Sequence, residues 1–529
     1  MKTYQLFLLS LLSGLLLTFA WFPNGLVPLL FIAFVPLLIV EHTIFKNPQH
    51  YESLTLFGCS FFTFFIWNVL TTWWVKNASL GGAAMAIICN ALLMTIVFLI
   101  FHKIKKRLGE KWGNILFICF WITFEFLHLD WDLTWPWLTL GNAFADTPNW
   151  IQWYEYTGVF GGSLWVLVIN CLIVSSFKFQ VEKKKIIAII LLIILPIIIS
   201  YAMLSFIKNP TGKTVRVVIV QPNIDPYNEK FIAGFEEQLQ KMLQLAAQKT
   251  DSTIDYLIFP ETALTENLWE NELKQSSSIK TLKQFLKSFP KLKIIIGAST
   301  AKVYQKGETL SATARKFTND ESFYDAYNTA LQLDSSSNIQ IYHKSKLVPG
   351  VEKMPFPFIF KYFGKLAINL GGTIGSLGIQ DERSVFVSRD STMKTAPVIC
   401  YESIYGEYVS EYVKNGAQFI SIITNDGWWG DTPGYKQLLK YGALRAIETR
   451  RYIARSANVG VACIINTKGE IEQPTQWWTP AAIKGEIILN SELTFYTCFG
   501  DYIARIAMCL SFISIIYSWI LKFQRNKKE

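Results

Sequence analysis

The apolar residues of this 529-residue chain are gathered into runs long enough to cross a bilayer, at both ends of the sequence. A helix needs about 20 apolar residues to span the ~30 Å hydrocarbon layer. Eight stretches come close to that length, at roughly 4–21, 25–41, 53–75, 82–101, 113–129, 157–177, 186–207 and 502–522. The long segment between the last two has the composition of a soluble protein. The sequence therefore predicts a membrane protein with about eight transmembrane helices and one globular domain.

The charge distribution favours a membrane protein over a nucleic-acid-binding protein. Charged residues make up only 17% of the chain, against about 25% in soluble proteins. The net charge of +10 could indicate a nucleic-acid partner, but the basic residues lie in short clusters beside apolar runs, such as 102–107 (HKIKKR) and 183–185 (KKK). Clusters in that position are topology signals. We therefore expect no nucleic-acid partner.

The Lys and Arg residues of the loops predict the orientation of the chain. With eight spans, the basic loops 102–112 and 178–185 lie on the same side as the basic C-terminal tail, whereas the loop 130–156 has no Lys or Arg. Because cytoplasmic loops carry the excess of these residues, we expect both termini in the cytoplasm and the globular domain outside. The predicted domains are a seven-helix transmembrane region (1–207), an extracytoplasmic domain (208–495) and a final helix with a basic tail (496–529).

The loop 130–156 is rich in tryptophan, with Trp135 and Trp137 among its members. Two interpretations are open. Tryptophans are enriched at the membrane–water interface, and they can also line the wall of a lipid-binding cavity. The ionisable residues at the end of the fifth span have the same two interpretations, because such groups either reach towards water or mark a site. These residues are Glu125, His128 and Asp130.

The soluble segment alternates between short β-branched runs and amphipathic helical patterns. The β-branched runs predict strands at 215–220, 256–259, 293–298, 328–333, 339–343, 396–400 and 419–424. The helical patterns lie near 231–249, 278–289 and 434–450, with one more after residue 400. This alternation favours a mainly buried α/β sheet. Functional groups in such folds tend to lie just past the strand ends.

Three chemically active residues occupy such positions: Glu261, Lys344 and Cys400. Each alone is more often structural, as a solvated turn residue, a surface lysine or a core cysteine. Together they form a constellation with a mechanism. A thiol needs a base or a cation to become a nucleophile at neutral pH. A carboxylate can take its proton, and an ammonium can stabilise the oxyanion of an acyl-transfer intermediate.

The sequences around these residues resemble the three signatures of the nitrilase superfamily. They read IFPE at 258–261, YHKSKLVP at 342–349 and VICYE at 398–402, in the matching order. With its predicted spans, the chain resembles the apolipoprotein N-acyltransferases, membrane-embedded members of that superfamily, over essentially its whole length. The resemblance implies a four-layer αββα sandwich. It also implies that Glu261 is the general base, Lys344 the oxyanion stabiliser and Cys400 the nucleophile.

The resemblance also implies supporting or substrate-binding residues. The positions that match family motifs are Glu352, Tyr401, Glu402, Trp137, Asn425, Trp428 and Trp429. For Trp137 this favours a substrate cavity over an interfacial belt. The positions that fit the downstream pattern as structural supports are Arg445, Glu448, Arg455 and Asn458.

Two segments depart from the family pattern. The residues ending at Glu352 read PGVE where the family usually has PFGE, which leaves the alignment of this glutamate open. The tryptophan often found after Gln221-Pro222-Asn223 is missing, which leaves the contacts to the acyl donor open. Lys346 is a rival of Lys344, but Lys344 holds the Tyr-x-Lys position of the motif.

The implied reaction is a ping-pong acyl transfer. Cys400 takes an acyl chain from a phospholipid, expected to be phosphatidylethanolamine, and passes it to the α-amine of the diacylglyceryl-cysteine of an apolipoprotein. The implied location is the bacterial inner membrane, with the catalytic domain on the periplasmic side of a multi-pass monomer. No cofactor or metal motif is visible, so we expect neither.

Two other functions use the same features. A membrane-tethered amidase would use the same triad on small soluble amides. A transporter would use the outer domain only to bind its ligand. The transporter is the weaker alternative, because the centres of spans one to four and six to eight contain almost no ionisable residues and a polar pathway needs them.

Overall fold

The computed structural model of the chain describes residues 1–21, 25–48, 53–178, 183–207, 210–230, 232, 234–318, 320–356 and 376–526. Two compact units make up the fold. The first is Met1–Phe206 together with Phe499–Glu529, and the second is Ile207–Cys498.

The first unit is helical. Within the described residues, seven helices are long and apolar enough to cross a membrane: Thr3–Ala20, Val27–Lys46, Ser53–Asn77, Leu80–Leu108, Tyr154–Ser176, Lys183–Phe206 and Tyr502–Gln524. They match seven of the eight predicted spans. The stretch predicted at 113–129 forms the helix Gly113–Leu127, whose 15 residues fall short of the about 20 that a span needs. The count of eight therefore stays a prediction.

The loop before the helix at Tyr154 is built from three short 3-10 helices, Pro136–Leu138, Leu140–Asp146 and Pro148–Trp150. The helix Lys183–Phe206 contains Pro196. Proline has no N–H, so the carbonyl of Leu192 loses its partner in the helix. Trp165 Nε1 donates to this carbonyl at 2.7 Å. The Trp165 side chain thus provides the Leu192 carbonyl with a hydrogen bond that hydrocarbon could not supply.

The described residues of the second unit form two β-sheets. The first sheet comprises β1 (Thr214–Gln221), β2 (Tyr256–Ile258), β3 (Leu264–Trp269), β4 (Lys293–Val303), β5 (Arg315–Lys316), β6 (Phe323–Leu333), β7 (Ile339–His343) and β14 (Ala481–Ile488). Its order is β14-β1-β2-β4-β6-β5, with β3 beside β4 and β7 beside β6. The second sheet comprises β8 (Phe386–Val387), β9 (Lys394–Ile399), β10 (Phe419–Thr424), β11 (Ile453–Ala457), β12 (Cys463–Ile465) and β13 (Ile471–Glu472). These six strands follow one another in sequence order across the sheet.

The two sheets pack face to face. Ser456 of β11 donates to the carbonyl of Val220 in β1 at 2.7 Å, and the rings of Tyr256 and Phe419 lie 5.2 Å apart. Helices cover the outer faces. The first sheet carries Phe235–Ala247 and Ser277–Lys287, and the second carries Gly406–Lys414 and Pro433–Thr449. The expected αββα sandwich is confirmed.

Parallel strand pairing determines where the site can form. Strands β1, β2 and β4 run parallel in the first sheet, as do β9, β10 and β11 in the second. The carboxyl ends of parallel strands share one edge of a sheet. All seven predicted strands are present. The strands that the sequence did not predict are β3, β5, β8, β11, β12, β13 and β14, several of which are only two or three residues long.

Candidate active site

The three predicted catalytic residues each follow a strand. Lys344 and Cys400 come directly after β7 and β9, and Glu261 lies three residues past the end of β2. All three are buried, with exposed fractions of 5% for Glu261, 1% for Lys344 and 7% for Cys400. Buried ionisable groups persist only when other groups pair with them.

Lys344 is paired with two carboxylates. Its Nζ lies 3.0 Å from Glu261 Oε1 and 2.8 Å from Glu352 Oε1. Burial opposes the charged form, but the two carboxylates outweigh it and hold the pKa of Lys344 well above its usual value. Burial likewise raises the pKa of Glu261, but the Lys344 charge outweighs it, and the pKa lies below its usual value of 4.5. The pair is therefore ionised at neutral pH.

Amide groups complete the binding of both carboxylates. Asn328 Nδ2 donates to Glu261 Oε1 at 2.8 Å and to Glu352 Oε1 at 3.0 Å. The Asn425 N–H donates to Glu261 Oε2 at 3.1 Å, and the Val348 N–H donates to Glu352 Oε2 at 2.9 Å. The altered PGVE segment thus still places Glu352 against the lysine.

The turn that carries Glu261 is packed against a glycine of β4. A Cβ on Gly297 would lie 2.5 Å from the Thr262 nitrogen and 2.6 Å from the Glu261 Cα. Thr262 adopts φ 46°, a left-handed conformation that is uncommon for threonine. Only glycine leaves room for the backbone of the carboxylate turn to approach the strand this closely.

Cys400 begins the 3-10 helix Cys400–Ile404 with φ 49°. A strained backbone of this kind is often found at functional residues. Burial raises the pKa of its thiol strongly and the Glu261 charge raises it further, against an opposing effect of Lys344. The resting thiol therefore keeps its proton at neutral pH. A base is needed to make it a nucleophile, and Glu261 is ionised and close enough for its charge to act on the sulfur.

Glu402 connects the turn after β9 with the turn after β7. Its Oε1 accepts from the Ser345 N–H and the Tyr342 hydroxyl at 2.8 Å, and from the Tyr408 hydroxyl at 2.5 Å. Its Oε2 accepts from the Ile399 N–H at 2.8 Å. Burial raises the pKa of this carboxyl above its usual value. Four donors thus hold the two turns in one arrangement.

The neighbouring Tyr401 is 2% exposed, and its ring lies 5.5 Å from that of Tyr405. Lys346, the alternative to Lys344 as the catalytic lysine, lies over an aromatic ring. Its Nζ is 5.1 Å from the centre of the Tyr405 ring. Lys344 alone of the two is paired with Glu261.

The segment after β10 contributes the next predicted residues. Asn425 bonds to Glu261 through its N–H, and its Oδ1 accepts from Asn458 Nδ2 at 3.2 Å. Trp428 and Trp429 end the 3-10 helix Asp426–Trp429 and are half-buried. The carbonyl of Trp428 accepts from the Tyr227 hydroxyl at 2.7 Å.

The predicted supports make buried contacts. Arg455 Nη2 lies 2.9 Å from Asp426 Oδ2. Arg445 Nη2 lies 2.7 Å from Glu448 Oε1, and its Nη1 donates to the carbonyl of Ile404 at 2.5 Å. These contacts hold the segments that follow β9 and β10.

Trp137 belongs to the first unit, where it is fully buried. Its ring lies 4.8 Å from that of Trp74 and stacks on Trp135 at 5.2 Å. It is packed within an aromatic cluster. Its role in a substrate cavity stays a prediction.

The sequence did not reveal two residues of the active-site cluster around Glu261, namely Asn328 and Lys230. Asn328 interrupts the buried strand β6, and a polar residue inside an otherwise apolar run was the available signal. Lys230 lies in an irregular segment, where the sequence shows no pattern. It is 2% exposed and donates to the Glu261 carbonyl at 3.4 Å and to the Thr262 hydroxyl.

Comparisons with known proteins cover both units. Residues 13–172 match the family described as Apolipoprotein N-acyltransferase N-terminal domain, and residues 216–492 match Carbon-nitrogen hydrolase. A relative from Chlorobaculum tepidum, named apolipoprotein N-acyltransferase, is 31% identical over 96% of this chain and 95% of its own length. Relatives of the same name from Geobacter metallireducens and Haemophilus influenzae are 26% and 25% identical, over 94% and 100% of this chain and 92% and 97% of their own lengths. The chain, with its apolar helices and its carbon–nitrogen hydrolase sandwich, belongs to the apolipoprotein N-acyltransferase family.

Proposed function

We propose that this membrane enzyme N-acylates apolipoproteins through a thioester on Cys400. The observation that carries the proposal is the buried Glu261–Lys344–Glu352 cluster, in which the charges of Glu261 and Lys344 act on a thiol at the end of β9. The family membership supports the acyltransferase activity. The roles of the individual residues are proposed here from their chemistry.

In the first half-reaction, Glu261 takes the proton of the Cys400 thiol, and the sulfur attacks the carbonyl carbon of a phospholipid ester. Lys344 stabilises the oxyanion that forms on the carbonyl oxygen. The C–O bond to the glycerol then breaks, and Glu261 returns the proton to the departing lysophospholipid. The donor we propose is phosphatidylethanolamine.

In the second half-reaction, the α-amine of a diacylglyceryl-cysteine attacks the thioester. The amine loses a proton to Glu261, the C–S bond breaks, and the thiol takes that proton back. The products are an amide on the lipoprotein and the free enzyme. Glu261 thus acts as a base and as an acid in each half.

The apolar helices also contribute to the reaction we propose. Moving an acyl chain from a bilayer into water costs roughly 0.8 kcal/mol per CH₂, so a site reached from the bilayer avoids most of that barrier. We propose a monomer in the bacterial inner membrane, with residues 1–207 and 496–529 as its membrane region and both termini in the cytoplasm. Residues 208–495 would then form the periplasmic catalytic domain.

The test is to incubate the full chain with phospholipid and no acceptor, and to look for an acyl group on Cys400 by mass spectrometry. Wild type should accumulate an adduct that hydroxylamine removes at neutral pH. An acceptor with a free N-terminal diacylglyceryl-cysteine should discharge it as an amide. Cys400→Ala should show neither adduct nor product, whereas Cys463→Ala and Cys498→Ala, which remove the other free thiols of the second unit, should behave like wild type.

Two outcomes would contradict the proposal. An adduct that persists in Cys400→Ala would place the acyl group elsewhere. An adduct that water discharges as fast as the amine does would favour a membrane-tethered amidase, the alternative that the same triad allows.

A further inference from the structure

A second lysine is buried beside the proposed catalytic carboxylate. Lys230 is 2% exposed. Its Nζ donates to the main-chain carbonyl of Glu261 at 3.4 Å and to the hydroxyl of Thr262. Neither partner is charged, so this ammonium has no carboxylate of its own in direct contact among the described residues. A buried cation without an ion pair is costly.

The main chain around Lys230 is also held. Its N–H donates to the Asp225 carbonyl at 2.9 Å, and its carbonyl accepts from Gln238 Nε2 at 2.9 Å. The side chain therefore reaches the Glu261 turn from an anchored backbone. Its contact with Thr262 falls on the residue with φ 46°, at the position where the carboxylate turn is strained.

We propose that Lys230 is a positioning residue and the second cation of the active site. Its ammonium holds the Glu261–Thr262 backbone in place, and its charge favours the thiolate of Cys400. The inference rests on the proposed roles of Glu261 and Cys400. The charge acts on the ionisation of the Cys400 thiol, in which the S–H bond breaks, the proton passes to solvent and the negative charge stays on the sulfur.

The electrostatics agree with this role. Burial lowers the pKa of Lys230 to about 8, although the charges of Glu261 and Cys400 act to raise it. Those two are the charged groups that act on it among the described residues. Lys344, by contrast, is held charged well above its usual pKa by Glu261 and Glu352. Only Lys230 of the two lysines therefore loses its proton near pH 8.

The experiment measures alkylation of Cys400 by iodoacetamide across pH 6.5 to 9.5 in the full chain, by mass spectrometry of the Cys400 peptide. The wild-type rate should rise with pH, because the thiolate fraction grows, and should flatten near pH 8, where loss of the second cation raises the pKa of the thiol. Lys230→Gln keeps N–H donors but has no charge. It should react about tenfold more slowly at pH 7, a loss that corresponds to about one pKa unit of the thiol, and its rate should rise with pH without flattening.

Two variants serve as matched controls. Lys241→Gln removes a half-buried lysine that also donates to a main-chain carbonyl, that of Asn223, at 3.2 Å. It should keep the wild-type rate and the wild-type pH profile. Thr262→Val removes the hydroxyl contact but leaves the charge, so the flattening near pH 8 should survive.

A wild-type profile that rises without flattening near pH 8 would overturn the inference, even if Lys230→Gln does not fold. A flattening that survives in Lys230→Gln would also overturn it, because another group would then titrate. Iodoacetamide needs no lipid, which separates this test from that of the proposed function. A wild type that shows the flattening but never forms an acyl adduct would refute the acyltransferase mechanism and leave the role of Lys230 intact.

Discussion

Each unit contains a cluster of buried charges, and the two clusters differ in their surroundings. In the helical unit, the Glu41 carboxylate pairs with two basic side chains. His102 Nδ1 lies 2.6 Å from Glu41 Oε1, and the Lys105 ammonium contacts the other carboxylate oxygen. In the sandwich, Lys344 binds two carboxylates, at 3.0 and 2.8 Å. Each cluster is nine-tenths or more buried at its central residue.

The surroundings show which cluster is equipped for chemistry. Lys105 is covered by the rings of Phe45 and Phe101, at 4.7 and 5.6 Å from their centres. The sandwich cluster adjoins a thiol, and two buried amide atoms beside it, Asn328 Oδ1 and Asn425 Nδ2, have no hydrogen-bond partner within the part of the chain that the structure describes. Buried charge in a membrane protein is a reason to look for a site. An adjoining nucleophile and unsatisfied polar atoms distinguish a site from a structural clamp.

The largest effect should come from Lys344→Arg, which tests the catalytic cluster. The planar guanidinium cannot reproduce the compact ammonium between two carboxylates. We expect the acylation rate to fall about 1,000-fold, equivalent to roughly 4 kcal/mol, while the thermal midpoint of unfolding changes little. Lys346→Ala should be much milder. Reversed phenotypes for these two variants would show that the wrong lysine has been assigned.

The Glu41–His102–Lys105 cluster should behave in the opposite way when Glu41 is changed to Gln. Removing the carboxylate takes away the negative charge that Glu41 presents to the buried Lys105, so we expect a loss of about 3 kcal/mol in the free energy of unfolding. The acylation rate per folded molecule should stay unchanged. The matched control is Glu110→Gln, whose partner Lys46 lies at 2.7 Å on a half-exposed surface; we expect less than about 1 kcal/mol there. A folded Glu41→Gln variant that loses turnover would show that the Glu41 cluster is part of the active site.

A smaller effect should follow Gly297→Ala. Its Cβ would lie 2.6 Å from the Glu261 Cα, so the carboxylate turn must move. Overpacking of this kind typically costs about 2 kcal/mol, and we expect the acylation rate to fall with the stability. Gly234→Ala, where a Cβ meets no described atom within 4 Å, is the control. Equal rates for the two variants would mean that the position of Glu261 matters little.

The smallest effect should be that of mild acid. Lys344 holds the pKa of Glu261 below 4.5 although burial opposes this, so the base stays ionised as the pH falls from about 7 to about 5. The stability that this ion pair contributes is likewise present over that range, and both should be lost only as the pH falls through the lowered pKa. A rate measured by acyl-adduct formation that drops between these two pH values would contradict this assignment of charge.

The sequence alone determined the features whose signals are local. Apolar runs identified seven helices that the structure contains, and β-branched runs identified β1, β2, β4, β6, β7, β9 and β10. The three motifs pointed to Glu261, Lys344 and Cys400 because each motif is a short string that follows a strand. The length of an apolar run and the residue types just past a strand can both be read from neighbouring residues, so neither requires knowledge of the tertiary structure.

Other features depended on residues that are distant in sequence. Lys344 and Glu261 are separated by 83 residues, and their pairing arises only when strands from the same sheet bring the two turns together. Contacts between distant residues also explain three further features. These are the division into two sheets, the pairing of Glu352 with Lys344 despite its altered segment, and the burial of Lys230. Strand pairing and the desolvation of charges depend on three-dimensional neighbours, and only the tertiary structure decided which side chains those neighbours are.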